Sequence, residues 1–140
     1  MPLSASSLNV GDRSELVVVR DLTRTQIVQY AGASGDYNPL HTDEVYAKEV
    51  AGYPTVFAHG MLTMGMTGRV LTDWVGDGRL LSYGVRFSRQ VWPGDTLTAT
   101  AEVSGIRTDE SGPVAELSVS TANQDGFEVL SGTATARLDA

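Results

Sequence analysis

Beyond Gly76 the chain alternates: Tyr83, Val85 and Phe87 interleave with Gly84, Arg86 and Ser88, and Leu97, Ala99, Ala101 and Val103 interleave with Thr98, Thr100, Glu102 and Ser104. A period of two sends successive side chains to opposite faces, so these segments read as half-buried strands. Pro93-Gly94-Asp95, Asp109 to Gly112 and Asn123 to Gly126 break the alternation with turn-forming residues. Four long strands with short loops between them predict an antiparallel meander.

The first half is patterned differently. Residues 15–20, Glu-Leu-Val-Val-Val-Arg, form a β-branched run suited to one further strand. Thr23 and Gln26 have the spacing of a capping box, and Leu22 and Ile27 that of a hydrophobic staple, which predicts a helix from Arg24 to near Tyr30. Residues 31–41, dense in Gly, Asp, Asn and Pro, predict a tight irregular loop. Thr42 can cap a short helix with Asp43 and Glu44 in its first turn, and Gly52 can close it.

From Gly60 to Val75 the positions Met61, Leu62, Met64, Met66, Val70, Leu71 and Trp74 are apolar nearly all round, which predicts a buried helix. Gly65 and Gly68 lie inside it. Each costs about 1 kcal/mol against Ala, so close approach of a backbone or a ligand is the expected reason for them. The elements together predict an α+β fold and one domain over residues 1–140, with an antiparallel sheet curved around a long central helix. That packing is a hot-dog arrangement, although a helix resting on an unrelated flat sheet would give the same pattern.

Charge narrows the partners. Seventeen acidic against ten basic side chains give a formal charge of −7, a field that repels phosphate backbones and anionic bilayers, so neither nucleic acid nor membrane is expected as a partner. The absence of cysteine removes disulfides, thiolate metal sites and Cys nucleophiles. The N-terminal residues do not have the pattern of a secretory signal and no apolar run approaches ~18 residues, so the cytoplasm is the expected location.

The chemistry left to the chain is that of His, carboxylates, hydroxyls and backbone. Both histidines, His41 and His59, fall at loop-to-helix junctions, and His41 shares its loop with Asp36 and Asn38. A carboxylate and an imidazole in a water-poor cleft can hold one water between them and move its protons. Ser34 beside this pair suggests a nucleophilic triad, but the Gly-x-Ser-x-Gly elbow is absent. A metal site from Asp36, His41, Asp43 and His59 is disfavoured by the lack of any His-Glu-x-x-His or Cys ligand spacing, so neither metal nor cofactor is expected. His59 reads as a structural residue bonding backbone at a helix start.

Tyr30 to Ala47, Y-A-G-A-S-G-D-Y-N-P-L-H-T-D-E-V-Y-A, resembles the hydratase 2 motif of MaoC-like (R)-specific enoyl-CoA hydratases. Ala58-His-Gly-Met-Leu-Thr63 resembles the start of that family's central helix, and Tyr83 to Phe87 with Val91 to Asp95 its following strand and turn. The resemblance implies reversible syn addition of water to a trans-2-enoyl thioester of CoA or acyl carrier protein, giving an (R)-3-hydroxyacyl thioester. It implies that Asp36 and His41 hold the water while Asn38 fixes the loop.

A thioester carbonyl under attack gains negative charge, and the free N–H groups of a helix N-terminus meet that need, so Gly60 is the expected backbone oxyanion donor. Ser34, Tyr37, Met61, Leu62 and Gly65 are the expected substrate contacts. Gly65 and Gly68 stand where some relatives carry serines and resemble instead the catalytic dehydratase subunits of type II fatty-acid synthesis, which implies room for a longer or bulkier acyl chain. A homodimer, or a heterodimer with a related hot-dog subunit, is implied as well. Three other functions share the pattern: a hot-dog thioesterase, a non-catalytic acyl-binding partner subunit, and a tailoring dehydratase or isomerase of secondary metabolism.

Overall fold

Thr23 Oγ1 accepts from the Gln26 N–H at 3.0 Å and Gln26 Oε1 from the Thr23 N–H at 2.9 Å, closing the capping box at the start of α1 (Arg24–Ser34). The computed structural model in which this is seen describes residues 3–140. Leu22 and Ile27, the two arms of the staple, are both buried. The helix runs past Tyr30 to Ser34, because Ala31, Gly32 and Ala33 carry nothing that clashes with a further turn. Gly35 ends it at φ 76°, its N–H bonded to the Ala31 carbonyl at 3.0 Å.

Five strands follow or precede the helices: β1 (Arg13–Val19), β2 (Leu80–Phe87), β3 (Leu97–Asp109), β4 (Gly112–Ala122) and β5 (Glu128–Arg137). They form one antiparallel sheet in the order β1-β3-β4-β5-β2. The predicted meander is therefore correct for β3, β4 and β5 but not for β2, which crosses to the far edge and pairs with β5. The connection from Ser88 to Thr96 is committed elsewhere and cannot turn as a hairpin. Its Val91 carbonyl accepts from the Ala58 N–H at 2.8 Å, its Gly94 N–H donates to Leu22 at 2.7 Å, and Asp95 binds Trp92 N–H and Gln124 Nε2. Stretched across the starts of both helices, it delivers β3 beside β1 instead.

The alternation along β3 appears as Leu97, Ala99, Ala101 and Val103, all buried, facing α2 (Gly60–Val75). That helix buries Thr63, Thr67, Val70, Leu71 and Val75 against the sheet. The expectation that it is enclosed all round is not met. Met61 is 56 % exposed and Gly65 is exposed too, since a five-stranded sheet covers one side of a helix and leaves the other. Nor does a close backbone explain Gly65, where an added Cβ would meet nothing within 4 Å. A Cβ added at Gly68 would stand 3.5 Å from the Tyr83 ring. The Tyr83 hydroxyl donates to the Met64 carbonyl at 2.7 Å, and burial pushes its pKa up to about 12.

Asp43 rather than Thr42 caps the short helical segment: its Oδ1 accepts from the Tyr46 N–H at 3.1 Å. Thr42 belongs to the preceding turn, where its N–H donates to Pro39. The coil then widens to a π-helical turn, Tyr46–Val50, with the Ala51 N–H on the Tyr46 carbonyl, and Gly52 at φ 77° closes it as expected.

Glu44 fastens this segment to its surroundings through Arg24, Thr55 and Lys48. The Arg24 guanidinium foremost, then Thr55, lowers its pKa to about 2. A depressed carboxylate pKa stabilises the folded chain above the unfolded value of 4.5 and stops doing so as pH falls through about 2. Thermal melts between those limits should show Tm falling with acid, and Glu44→Gln should flatten part of that slope. An unchanged slope in the variant would refute the assignment.

Candidate active site

Three short polar side chains wind the loop after α1. Ser34 Oγ accepts from the Asp36 N–H at 3.2 Å, Asp36 Oδ1 from the Asn38 N–H at 3.2 Å, and Asn38 Oδ1 from the Leu40 N–H at 3.0 Å. Each bonds the backbone two residues on, the local bond that makes Ser, Asp and Asn turn formers. The His41 N–H closes the loop onto the Asn38 carbonyl at 3.0 Å.

His41 Nδ1 lies 2.7 Å from the Phe57 carbonyl, which can only accept, so Nδ1 carries the proton and Nε2 of the neutral ring keeps its lone pair. His59 Nε2 meets the Asp36 carbonyl at 3.0 Å and carries its proton there by the same reasoning. The two rings stack at 3.8 Å with planes 25° apart, while Tyr30 packs its edge on His59 and Phe57 its edge on His41. His41 is 9 % exposed, His59 is buried and Asp36 is open to solvent in the single chain. Burial is the largest influence on His41 and holds its pKa below the usual 6.5, with the neighbouring His59 acting the same way; the Phe57 carbonyl and Asp36 oppose them.

Polar atoms of Asp36, His41 and His59 lie within 4.8 Å of one another, close enough to share one small ligand. A metal ion suits the arrangement poorly. Imidazole lone pairs lie in the ring plane, and two stacked rings hold them in two nearly parallel planes rather than aiming them at one point. A water molecule, which accepts and donates from separate directions, suits it better.

Beside this cluster lies a cavity of about 340 Å³ whose walls include Phe57, Gly60, Thr63, Phe87, Arg89 and Val91. Phe57 joins the two: it lines the cavity, and its carbonyl and its ring both meet His41. The Gly60 N–H, at the first turn of α2, has no hydrogen-bond partner among the described residues. A Cβ at Gly60 would stand 3.0 Å from the Phe87 ring, so glycine keeps the cavity floor open.

Of the residues singled out in the sequence, Asp36, His41 and Asn38 come together in the loop, and Gly60 lines the cavity. Ser34, Tyr37, Met61, Leu62 and Gly65 do not line it: Ser34 is spent on the loop, Tyr37 is 70 % exposed, Met61 and Gly65 lie on the uncovered side of α2, and Leu62 packs against the core. The sequence reasoning passed over Thr63, Phe87, Arg89 and Val91. Thr63 could have been found, three positions after Gly60 on the same helical face. Phe87 ends β2, and Arg89 and Val91 come from the β2–β3 connection, whose path no periodicity reveals.

Thr63 has a further peculiarity. Thr67, one turn on, bonds Thr121 at 2.6 Å and Thr72 bonds the Gly68 carbonyl, but Thr63 Oγ1 is buried without a partner among the described residues. A buried hydroxyl left unpaired costs about 1 kcal/mol or more. Thr63→Val keeps the shape and removes the cost, so the urea midpoint of the variant should rise. A fall would mean that the hydroxyl is paired after all.

Comparison with known proteins adds a family to this geometry. The MaoC-like domain family matches residues 7–124, most of the chain. This protein belongs to the MaoC-like family. An (R)-specific enoyl-CoA hydratase of Aeromonas caviae is 31 % identical over 138 residues, 97 % of this chain and 99 % of that one. The solved structure of an (R)-hydratase from A. caviae, described as involved in PHA biosynthesis, superposes with a TM-score of 0.83 at 32 % identity, covering 96 % of this chain and 99 % of that chain. A 3-hydroxyacyl-thioester dehydratase of Mycobacterium tuberculosis is 43 % identical over 68 residues, which are 46 % of this chain and 23 % of that protein. The chain thus spans nearly the whole of one relative and about a quarter of the other. The fold of this MaoC-like chain is the hot-dog fold of its structural neighbours, and its named relatives are hydro-lyases. No helix among the described residues is long and apolar enough to cross a membrane.

Proposed function

We propose that this MaoC-like protein interconverts trans-2-enoyl and (R)-3-hydroxyacyl thioesters, with Asp36 and His41 holding the reacting water. The observation that carries the reading is the unprotonated Nε2 of a buried His41 beside the Asp36 carboxyl, next to a cavity floored by a free backbone N–H. In hydration, Nε2 takes a proton from water as the oxygen attacks the β-carbon, and Asp36 accepts the hydrogen bond of the other O–H. The electron pair of the double bond moves to the α-carbon and carbonyl, whose developing charge the Gly60 N–H receives. The imidazolium then returns its proton to the α-carbon on the same face, so atoms and charge balance and the enzyme is restored.

The open side of the site supports a two-chain assembly. Asp36, Tyr37, Met61 and Gly65 are all exposed in one chain, and a water held for catalysis needs shelter from bulk solvent. A second hot-dog subunit, identical or related, would cover them. A related complex, ChsH1–ChsH2 of M. tuberculosis, contains a chain that superposes with a TM-score of 0.78 at 25 % identity, covering 93 % of this chain and 98 % of that chain. We place the protein in the cytoplasm, acting on CoA or carrier-protein thioesters as a single domain.

The test is direct. Purified protein mixed with crotonyl-CoA, or with a longer trans-2-enoyl-CoA, should bleach the enoyl absorbance and yield the (R)-3-hydroxyacyl product. Release of free thiol without loss of the enoyl group would instead favour a thioesterase and overturn the reading.

A further inference from the structure

Arg89 sits in the wall of the same cavity as Gly60, and no carboxylate claims it. Six of the ten basic side chains, Arg13, Arg24, Lys48, Arg79, Arg107 and Arg137, have an acidic partner, whereas Arg89 forms neither ion pair nor side-chain hydrogen bond among the described residues. In a chain of net charge −7, an arginine left without a carboxylate at the edge of a cavity is a charge kept for something else.

It is also held in place. The guanidinium lies over the Phe127 ring, 4.0 Å from its centroid, and Phe127 itself is half exposed. A planar cation stacked on an aromatic face keeps its N–H edge free, and that edge is the part that binds a phosphate in two-pronged fashion. Ser88 and Gln90, the neighbours of Arg89, line the same cavity and add uncharged polar groups beside it.

We infer that Arg89 is the anchor for the phosphate of the phosphopantetheine arm, the group that CoA and acyl carrier protein have in common. The inference rests on the thioester reading given above and adds to it the residue that recognises the carrier. The acyl end enters over Gly60, the pantetheine runs out past Ser88 and Gln90, and its phosphate meets the guanidinium. Because the anchor acts at the outer end of the arm, it contributes to capture of the thioester and leaves the reacting atoms alone.

The experiment compares three trans-2-butenoyl thioesters, of pantetheine, of 4′-phosphopantetheine and of CoA, on the wild type, Arg89→Gln and Arg89→Lys. A lost charge-assisted contact is worth about tenfold. Arg89→Gln should therefore lose about tenfold in kcat/KM on the two phosphorylated substrates, through KM with kcat retained, and far less on pantetheine. Arg89→Lys should recover part of the loss. The KM of the wild type for the phosphorylated pair should climb with ionic strength, and that of Arg89→Gln should not.

A loss seen with CoA and not with phosphopantetheine would assign Arg89 to the nucleotide end and overturn the inference, as would equal losses on all three substrates. Calorimetric titration with free CoA and with pantetheine reads the anchor without any turnover. Discrimination in binding by a wild type that hydrates nothing would uphold the anchor and sink the hydratase reading. Equal binding of both ligands by a wild type that does hydrate would do the reverse.

Discussion

Replacing His41 with Ala is expected to cut hydration of a trans-2-enoyl thioester by about a thousandfold, within the range that a positioned base contributes, and Asp36→Asn, which removes the charged acceptor that orients the water, by a similar factor. In the proposed mechanism the two groups share one water, so the double variant should be little worse than either single one. Burial holds the His41 pKa below 6.5. As a base it must be neutral, so hydration should be at its plateau at neutral pH and fall on the acid side, below 6.5, as the ring takes up its proton. Stopped assays of kcat from pH 4.5 to 8 would give this profile, and near wild-type rates in either single variant would end the proposed mechanism. Circular dichroism of both variants should match the wild type, because neither side chain belongs to the hydrophobic core.

The largest effect on folding is expected at Gly132. A Cβ there would stand 1.9 Å from the Gly84 carbonyl oxygen and 2.7 Å from the Val85 Cα. Both are backbone atoms of β2, which cannot rotate aside as a side chain does. Gly132 pairs with Val85, and β2 is held to the sheet by β5 alone. Gly132→Ala must therefore push β2 outward, and with it Tyr83, which bonds α2, and Phe87, which walls the cavity. Overpacking costs about 1–3 kcal/mol where side chains can yield, so a loss of about 3 kcal/mol or more is expected here, a large part of a stability of ordinary size. Urea unfolding measures it directly. A variant whose midpoint matches the wild type would show that the two strands separate freely at this point.

The sequence revealed local structure better than it revealed assembly. The capping box of Thr23 and Gln26, the bounds of α2 and the turn glycines Gly94, Gly112 and Gly126 were readable because each is decided within a few residues of itself. The burial of Leu97, Ala99, Ala101 and Val103 was readable because period two fixes the face. Which strand neighbours which was not, because alternation says nothing about pairing and β2 owes its place to bonds from Val91, Gly94 and Asp95 to distant segments. Asp43 and Thr42 are both good caps, and only the turn at Pro39 decides between them. In the site, Asp36 and His41 stood out through their spacing, whereas Thr63 and Arg89 came to the cavity from separate elements. The exposure of Met61 and Gly65 depends on what covers α2, which lies outside the chain's own pattern.

The two histidines are each tied to the other's stretch of backbone: His41 to Phe57, next but one before His59, and His59 to Asp36, five before His41. Such cross-stitching makes the spatial relation of the two stretches independent of the chain that joins them. Residues between Thr42 and Val56 could then gain or lose length over evolutionary time without disturbing how Asp36 and His41 stand to each other. The same stitching makes His59 a hidden point of failure, since losing its ring would let Asp36 drift.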